Sequence, residues 1–260
     1  MRDNYYNVII YIMIAFCFLT YDEIYAENVW ANYFQDADPE HYIILSNPKT
    51  PNKILEQPLF KNSIIPNRFA ETQWGTFSLL TAQHALFSIA LCKENVQFIV
   101  LLSHNSIPAQ PFDDLRNYLF YNNKSILGIN VVASHANRYR SILRPNFRKE
   151  EFYTMSQWHV LKRDHAYYIT SEYEIIKSIF GKMIIPDEHT YVNYLVHYKK
   201  CTDIINNNIC YVGWKSGINT GLIYEHGIQV FNSISQEMFD DMKRYDIFFI
   251  RKITHDYIII

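Results

Sequence analysis

Apolar positions in the first half of the chain follow two periods in turn. "IAFCFLTY" (14–21) is a continuous apolar run with aromatic and β-branched residues, the pattern of a strand buried on both faces. "DEIYAENVWANYFQ" (22–35) repeats its apolar residues at helical spacing, and "HYIILSN" (41–47) returns to the strand pattern. After a Pro- and Asn-rich stretch, "WGTFSLLTAQHALFSIALCK" (74–93) predicts a long helix and "VQFIVLLS" (96–103) another buried strand. "PFDDLRNYLFY" (111–121) predicts a short helix with Asp113 and Asp114 in its first turn. The order β-α-β-α-β-α predicts an α/β fold with a mainly parallel central sheet and helices on both faces. Such sheets bind ligands at the carboxyl ends of their strands, so a site is expected in the loops after Thr20, Asn47 and Ser103.

The second half opens with a basic, loop-like segment, "SHANRYRSILRPNFRKEEF" (134–152), and closes with "QEMFDDMKRYDIFFIRKITHDYIII". Between them, "MIIPDEHTYVNYL" (183–195) sets Asp187 and Glu188 directly after Pro186. Proline suits a first helical position and acids suit the first turn, so this stretch reads as a helix start; the same pattern also presents a carboxylate suited to proton abstraction. No internal repeat, low-complexity segment or flexible linker interrupts the 260 residues, and a single domain is expected.

Composition narrows the classes. Hydrophobic residues are 49% and charged residues 19%, which is a globular balance. A net charge of −2 argues against nucleic acid as a partner, which would call for a basic surface. Cys17, Cys92, Cys201 and Cys210 form no C-x-x-C pair; Cys201 and Cys210 are spaced to bridge a loop in an oxidising compartment, and free thiols are the expectation. The ten histidines form no zinc-ligand pattern. "NVIIYIMIAFCFL" (7–19) after Arg2 has the form of a signal sequence ending near Ala26, but it also reads as a central strand, and it is short for a membrane span.

Catalytic motifs are few. There is no Gly-rich phosphate loop. Asp36 and Asp38 have the acid-x-acid spacing of a divalent-metal site, yet they precede a strand, on the wrong edge of the sheet, and read as a solvated turn. Ser103 beside His104 lacks a nucleophile elbow and is expected only to line a cleft. Trp74 and Trp158 read as core.

Seven stretches taken in order carry a further signal: "IAFCFLTYDEI", "ETQWGTFSLLTAQHALFSIAL", "FIVLLSHNSIPAQPFDDLRNYL", "SQWHVLKRDHAYYI", "IPDEHTYVNYL", "YVGWKSG" and "FFIRKI". Together, from about Ile14 to Ile253, they resemble the core-2/I-branching glycosyltransferases, and most of all the plant-type branch. In that register "IAFCFLT" is the first strand of the nucleotide-binding half.

The resemblance implies a GT-A-like domain over residues 1–260, with a nucleotide-sugar-binding half at about 8–133 and an acceptor-binding and catalytic half at about 134–260. It implies inverting transfer of a sugar, N-acetylglucosamine in the typical case, from a UDP-sugar to a hydroxyl of a glycan or glycoprotein acceptor, without a metal cofactor. Glu188 matches the family's base, with Asp187 capping the helix or orienting it. Lys252 matches the diphosphate-binding lysine and Arg251 its plant-like companion. Trp214 matches the tryptophan that packs on the acceptor sugar, and Arg138 corresponds loosely to a basic acceptor-loop position. Animal members carry a second arginine shortly after a histidine; here the matching stretch is "EHGIQVF", with His226, with Gln229 close to the arginine's position and with no arginine, so a non-catalytic glycan- or nucleotide-sugar-binding protein of the same fold is the alternative. A secreted interaction protein, using the Asn123-Lys124-Ser125 sequon, is a third reading. Membrane association stays open, with no clear anchor; the location is cytoplasmic or peripheral to membranes, or secretory if residues 7–26 act as a signal.

Overall fold

The computed structural model describes residues 12–131, 148, 151–214, 224–225 and 227–257. Its first half contains β1 (Met13–Thr20), α1 (Glu27–Phe34), β2 (Tyr42–Pro48), α2 (Ser78–Leu91), β3 (Val96–Ser103), β4 (Ser106–Pro108), α3 (Phe112–Asn122), β5 (Ser125–Ile126) and β6 (Ile129–Val131). The remainder adds β7 (Tyr153–Met155), β8 (Val160–Lys162), α4 (Arg163–Ser171), α5 (Tyr173–Phe180), α6 (Thr190–Asn193), β9 (Ile204–Ile205) and β10 (Cys210–Val212). It closes with β11 (Tyr224–Glu225), β12 (Ile228–Gln229), α7 (Gln236–Arg244) and β13 (Phe249–Arg251).

The main sheet has the strand order β2-β1-β3-β8-β5-β9. β1 pairs in parallel with both β2 and β3, so it is central, which explains why residues 14–18 read as an unbroken apolar run and are fully buried. The prediction of a mainly parallel sheet holds for this half. β8, however, runs antiparallel to β3 and to β5, which makes the whole sheet mixed. Phe16 and Phe18 leave one face of β1 and pack edge-on against Trp30 and Phe34 of α1. Phe112 of α3 closes the same aromatic cluster. Successive side chains of a strand point to opposite faces, which turns the small Ala15 and Cys17 towards the other side, where α2 lies against β1 and β2.

Helix ends differ from the periodic pattern for local reasons. α1 begins at Glu27, because Ala26 sits at φ 50 and no helix can run through that residue. α2 begins at Ser78, after a turn in which Gly75 has φ +72. A second, three-stranded sheet of order β10-β13-β4 packs beside the main one, with Arg251 opposite Ser106 and Val212. All four cysteines are free thiols. No described helix is long and apolar enough to cross a membrane.

Candidate active site

The parallel register sets Leu19 opposite both Asn47 and Ser103, so three strands end at one edge of the sheet. The loops leaving that edge are tied together by backbone hydrogen bonds: Lys49 N to Thr20 O at 3.0 Å, Thr50 N to Tyr21 O at 2.8 Å, and His104 N to Leu19 O at 3.1 Å. Here the exposed ring of Tyr21 lies under the Lys49 ammonium, 5.3 Å from Nζ to the ring centre. Asp36 and Asp38 lie away from this edge, in an exposed turn at the amino end of β2, where Asp38 Oδ1 accepts from Glu40 N at 2.9 Å. That is the solvated turn expected of them.

Ser103 is buried at the end of β3. It donates to Asn105 Oδ1 at 2.8 Å and accepts from Arg251 Nε at 3.1 Å. The Arg251 guanidinium carbon also lies 4.6 Å from the centre of the Trp158 ring. Trp158 is buried, as expected of a core residue, but it is also the platform on which this cation rests. Ser103 thus holds the Arg251 guanidinium at one nitrogen.

Lys252 follows directly after the end of β13. Its carbonyl accepts from Phe231 N at 2.7 Å and its N–H donates to Gln229 O at 3.4 Å. Gln229 N in turn donates to Gly213 O at 2.6 Å. A Cβ on Gly213 would stand 2.9 Å from the Gln229 side chain, so glycine is what lets Gln229 lie across the end of β10. Trp214 comes next, 65% exposed and bridged to Ile228. Gln229 thus sits within one backbone network with Lys252 and Trp214. Arg138 and His226 lie outside the described residues.

Glu188 occupies a different turn. Pro186–Glu188 is a single 3-10 turn, not the start of a long helix, and a short α6 and a π-helical turn over Tyr194–Tyr198 follow it. The chain enters at Ile185, whose φ of 54 is unusual for a β-branched residue; its N–H donates to Gly75 O at 2.9 Å. Every residue from Ile185 to Leu195 is buried except Glu188, which is partly exposed. Its neighbours explain the fixity. His189 stacks on Phe152 at 5.2 Å, and Asn193 clips Tyr153 through both backbone groups, accepting at 2.9 Å and donating at 2.8 Å. Asp187 is buried, and its charge is one of the causes, after burial itself and Tyr173, that push the Tyr191 phenol well above its ordinary range. The turn itself, entered through Ile185 and backed by His189 and Asn193, fixes where Glu188 stands.

The "SQWHV" stretch lies between the two groups. Tyr191, two positions after His189, packs edge-on against His159 at 5.6 Å, and His159 adjoins Trp158. Burial drives His159 down to a pKa of about 4, so it is neutral; its Nδ1–H donates to Gln157 O at 2.7 Å.

The family comparison can now be set beside this geometry. A family model described as "Branch: Core-2/I-Branching enzyme" matches residues 14–243. The chain belongs to the Core-2/I-Branching enzyme family. Its register covers β1 and Ser103, the Trp158 platform and the Glu188 turn; Arg251 and Lys252 fall just beyond it. Among curated relatives, the chain is 23% identical over 167 residues to "Glycosyltransferase BC10" of Oryza sativa subsp. japonica, covering 63% of this chain and 41% of that protein. The chain thus spans less than half the length of the curated relative it matches. Solved structures similar to it include the galactosyltransferase LgtC in complex with donor and acceptor sugar analogues, at 12% identity, 74% coverage of this chain, 73% of that chain and a TM-score of 0.44. The apo bifunctional glycosyltransferase WbbM matches at 9% identity, covering 92% of this chain and 45% of that one, with a TM-score of 0.43.

One expectation is overturned. Trp74 is not core: it is 83% exposed, one residue from the Gly75 carbonyl that holds Ile185. Its turn is pinned by Gln73 N to Ser78 Oγ at 2.8 Å and by Thr76 Oγ1 to Gln73 O at 3.0 Å. Periodicity placed Trp74 inside a helix that in fact starts four residues later. The glycine after it was the available signal, because a positive φ there turns the preceding side chain out.

Proposed function

We propose that this chain is an inverting glycosyltransferase that moves a sugar, N-acetylglucosamine, from a UDP-sugar to a hydroxyl of a glycan acceptor, in the manner of a β-1,6-N-acetylglucosaminyltransferase. The observation that carries the reading is the exposure of Glu188 alone within an otherwise buried segment of eleven residues, 185–195. A carboxylate placed only to start a helix has no need of so rigid a surround.

In the reaction, Glu188 takes the proton of the acceptor hydroxyl as its oxygen attacks the anomeric carbon from the face opposite UDP. The bond from that carbon to the diphosphate oxygen breaks, and UDP leaves with the electron pair. Arg251 and Lys252 neutralise the departing diphosphate, a role that suits a planar guanidinium already desolvated on one face by Trp158, and that asks for no metal. Tyr21, at the carboxyl end of β1, offers an aromatic face on the donor side. Trp74 and Trp214, both exposed, offer faces to the acceptor.

Gln229 favours a second reading, a glycan- or nucleotide-sugar-binding protein without turnover, because this neutral residue, hydrogen-bonded through its backbone to Lys252, lies close to where the resemblance expects a second arginine. The deciding experiment measures UDP release from UDP-N-acetylglucosamine and other UDP-sugars with a glycan acceptor panel, in chelator and in added Mg2+ or Mn2+, for wild type and Glu188→Gln. Acceptor-dependent release that the variant loses by roughly 100-fold or more, with UDP binding retained, is the expected result. Binding of UDP-sugars without release by either protein overturns the enzyme in favour of the binding protein.

A further inference from the structure

A second cluster of reactive side chains stands across the main sheet from Ser103, at the β9 edge. β3 and β9 are three strand spacings apart, about 14 Å, so this cluster is separate from the site described above. His165, near the start of α4, is 2% exposed. Its Nε2 lies 3.0 Å from Asp203 Oδ1 and its Nδ1 lies 2.7 Å from Ser125 Oγ. Cys201 completes the group: its sulfur, the imidazole nitrogen and the carboxylate oxygen all lie within 4.8 Å of one another.

We infer that His165, Cys201 and Asp203 form a binding site for a zinc-class divalent ion, a structural station that ties the β9 edge to α4. The donor set is one imidazole nitrogen, one thiolate sulfur and one carboxylate oxygen. That mixture selects a borderline ion such as Zn2+ over Mg2+ or Ca2+, which take oxygen ligands. Tetrahedral zinc with these bond lengths needs its ligand atoms roughly 3.3–3.8 Å apart. The His165–Asp203 pair is already close to that spacing, and the Cys201 sulfur lies within 4.8 Å of both.

The surroundings are those of a ligand set held from behind. Ser125 Oγ accepts from Lys162 N at 2.9 Å and faces His165 Nδ1, so it can fix the imidazole with Nε2 turned to the metal. Lys162 Nζ holds Asp203 through Oδ2, the oxygen turned away from His165, and leaves Oδ1 for the ion. Asp164 lies 3.4 Å from the same ammonium. The charges balance: one thiolate and one carboxylate against the dication, and Lys162 against Asp164.

The ligands also ride on paired backbone. Asp203 O accepts from Ser125 N at 3.2 Å, and Cys201 N donates to Leu195 O at 3.0 Å. Metal binding releases the Cys201 thiol proton to solvent. It also shifts the imidazole proton from Nε2, where Asp203 accepts it, to Nδ1, where Ser125 Oγ accepts it. Asp203 is partly exposed, which leaves the fourth position open to water. No sequence pattern announces the site, because His165 and Cys201 are 36 positions apart on different elements.

The test titrates the chelator-treated full chain with Co2+, then with Zn2+. One equivalent of Co2+ is expected to raise a thiolate-to-metal charge-transfer band that Zn2+ abolishes. Cys201→Ser and His165→Gln lose the band, whereas Cys92→Ser, at the exposed thiol, keeps it. A thermal melt runs in parallel, and one equivalent of Zn2+ raises the wild-type Tm but not that of Cys201→Ser. A wild type with neither band nor Tm shift overturns the inference, as does a band that survives in Cys201→Ser or disappears in Cys92→Ser.

Discussion

Arg251 rests its guanidinium 4.6 Å from the centre of the Trp158 ring. The same cation receives no freedom at its Nε, which donates to the buried Ser103 hydroxyl across 148 positions of sequence. A flat cation held on a ring and at one nitrogen has a fixed orientation, and a planar guanidinium of fixed orientation suits the non-bridging oxygens of a diphosphate.

Arg251→Lys keeps the charge and removes both the stacking plane and the fork. Losing one charge-assisted hydrogen bond to the diphosphate costs about 1.5–3 kcal/mol, so UDP affinity is expected to fall roughly 10- to 150-fold. The lost contact with Trp158, about 1–2 kcal/mol, is expected to lower Tm by roughly 2–8 °C. Calorimetric titration with UDP checks it. Unchanged affinity would place the diphosphate elsewhere.

Gly75 sets the Glu188 turn from outside. Its φ of +72 is costly for any residue with a side chain, by about 1–2 kcal/mol, although a Cβ would meet Ile185 Cγ1 only at 3.7 Å, an ordinary contact. Gly75→Ala is therefore expected to lower Tm by roughly 2–8 °C in a chain of this size. Gly75→Asn is expected to cost less, because asparagine tolerates the left-handed region. A thermal melt of the two variants decides, and equal Tm values would show that the turn has relaxed.

Trp74 separates stability from recognition. Being 83% exposed, it contributes little to folding, and Trp74→Ala should leave unfolding free energy within about 0.5 kcal/mol of wild type. If the ring carries an acceptor sugar, the acceptor KM rises roughly 2- to 12-fold while the UDP-sugar KM holds. A rise in the donor KM instead would move Trp74 to the donor side.

His159 makes the region acid-sensitive. It is fully buried between Phe87 and Tyr191, and its Nε2 has no hydrogen-bond partner among the described residues. The folded pKa is about 4 against an ordinary value of 6.5. The unfolded chain therefore binds a proton that the folded one refuses in this window. The contribution of His159 to stability is complete above pH 6.5, falls by at most about 1.4 kcal/mol per pH unit from there to about pH 4, and levels off below. His159→Leu should flatten that slope in denaturant titrations run across the range; a slope that persists assigns it to other groups.

Much of this was written in local sequence. The run 14–18 has no polar side chain, and only a strand covered on both faces can bury it, so β1 and the carboxyl edge near Thr20, Asn47 and Ser103 were legible from pattern alone. The Pro186-Asp187-Glu188 stretch was legible as a helix start bearing acids, and it folds as a single 3-10 turn. What pattern could not supply was direction and distant partnership. β4, β8, β10 and β13 have three residues each, too few to carry a period, and their neighbours are chosen by the sheets they join. Trp74 fitted a helical spacing until Gly75 turned it outwards. Arg251 met Ser103 and Trp158, and His165 met Cys201 and Asp203, only because separate strands and helices were packed against one core. Burial along a segment is a local property, because it depends on which of its own side chains are apolar. Which polar atoms meet across the fold is decided by the packing of the segments.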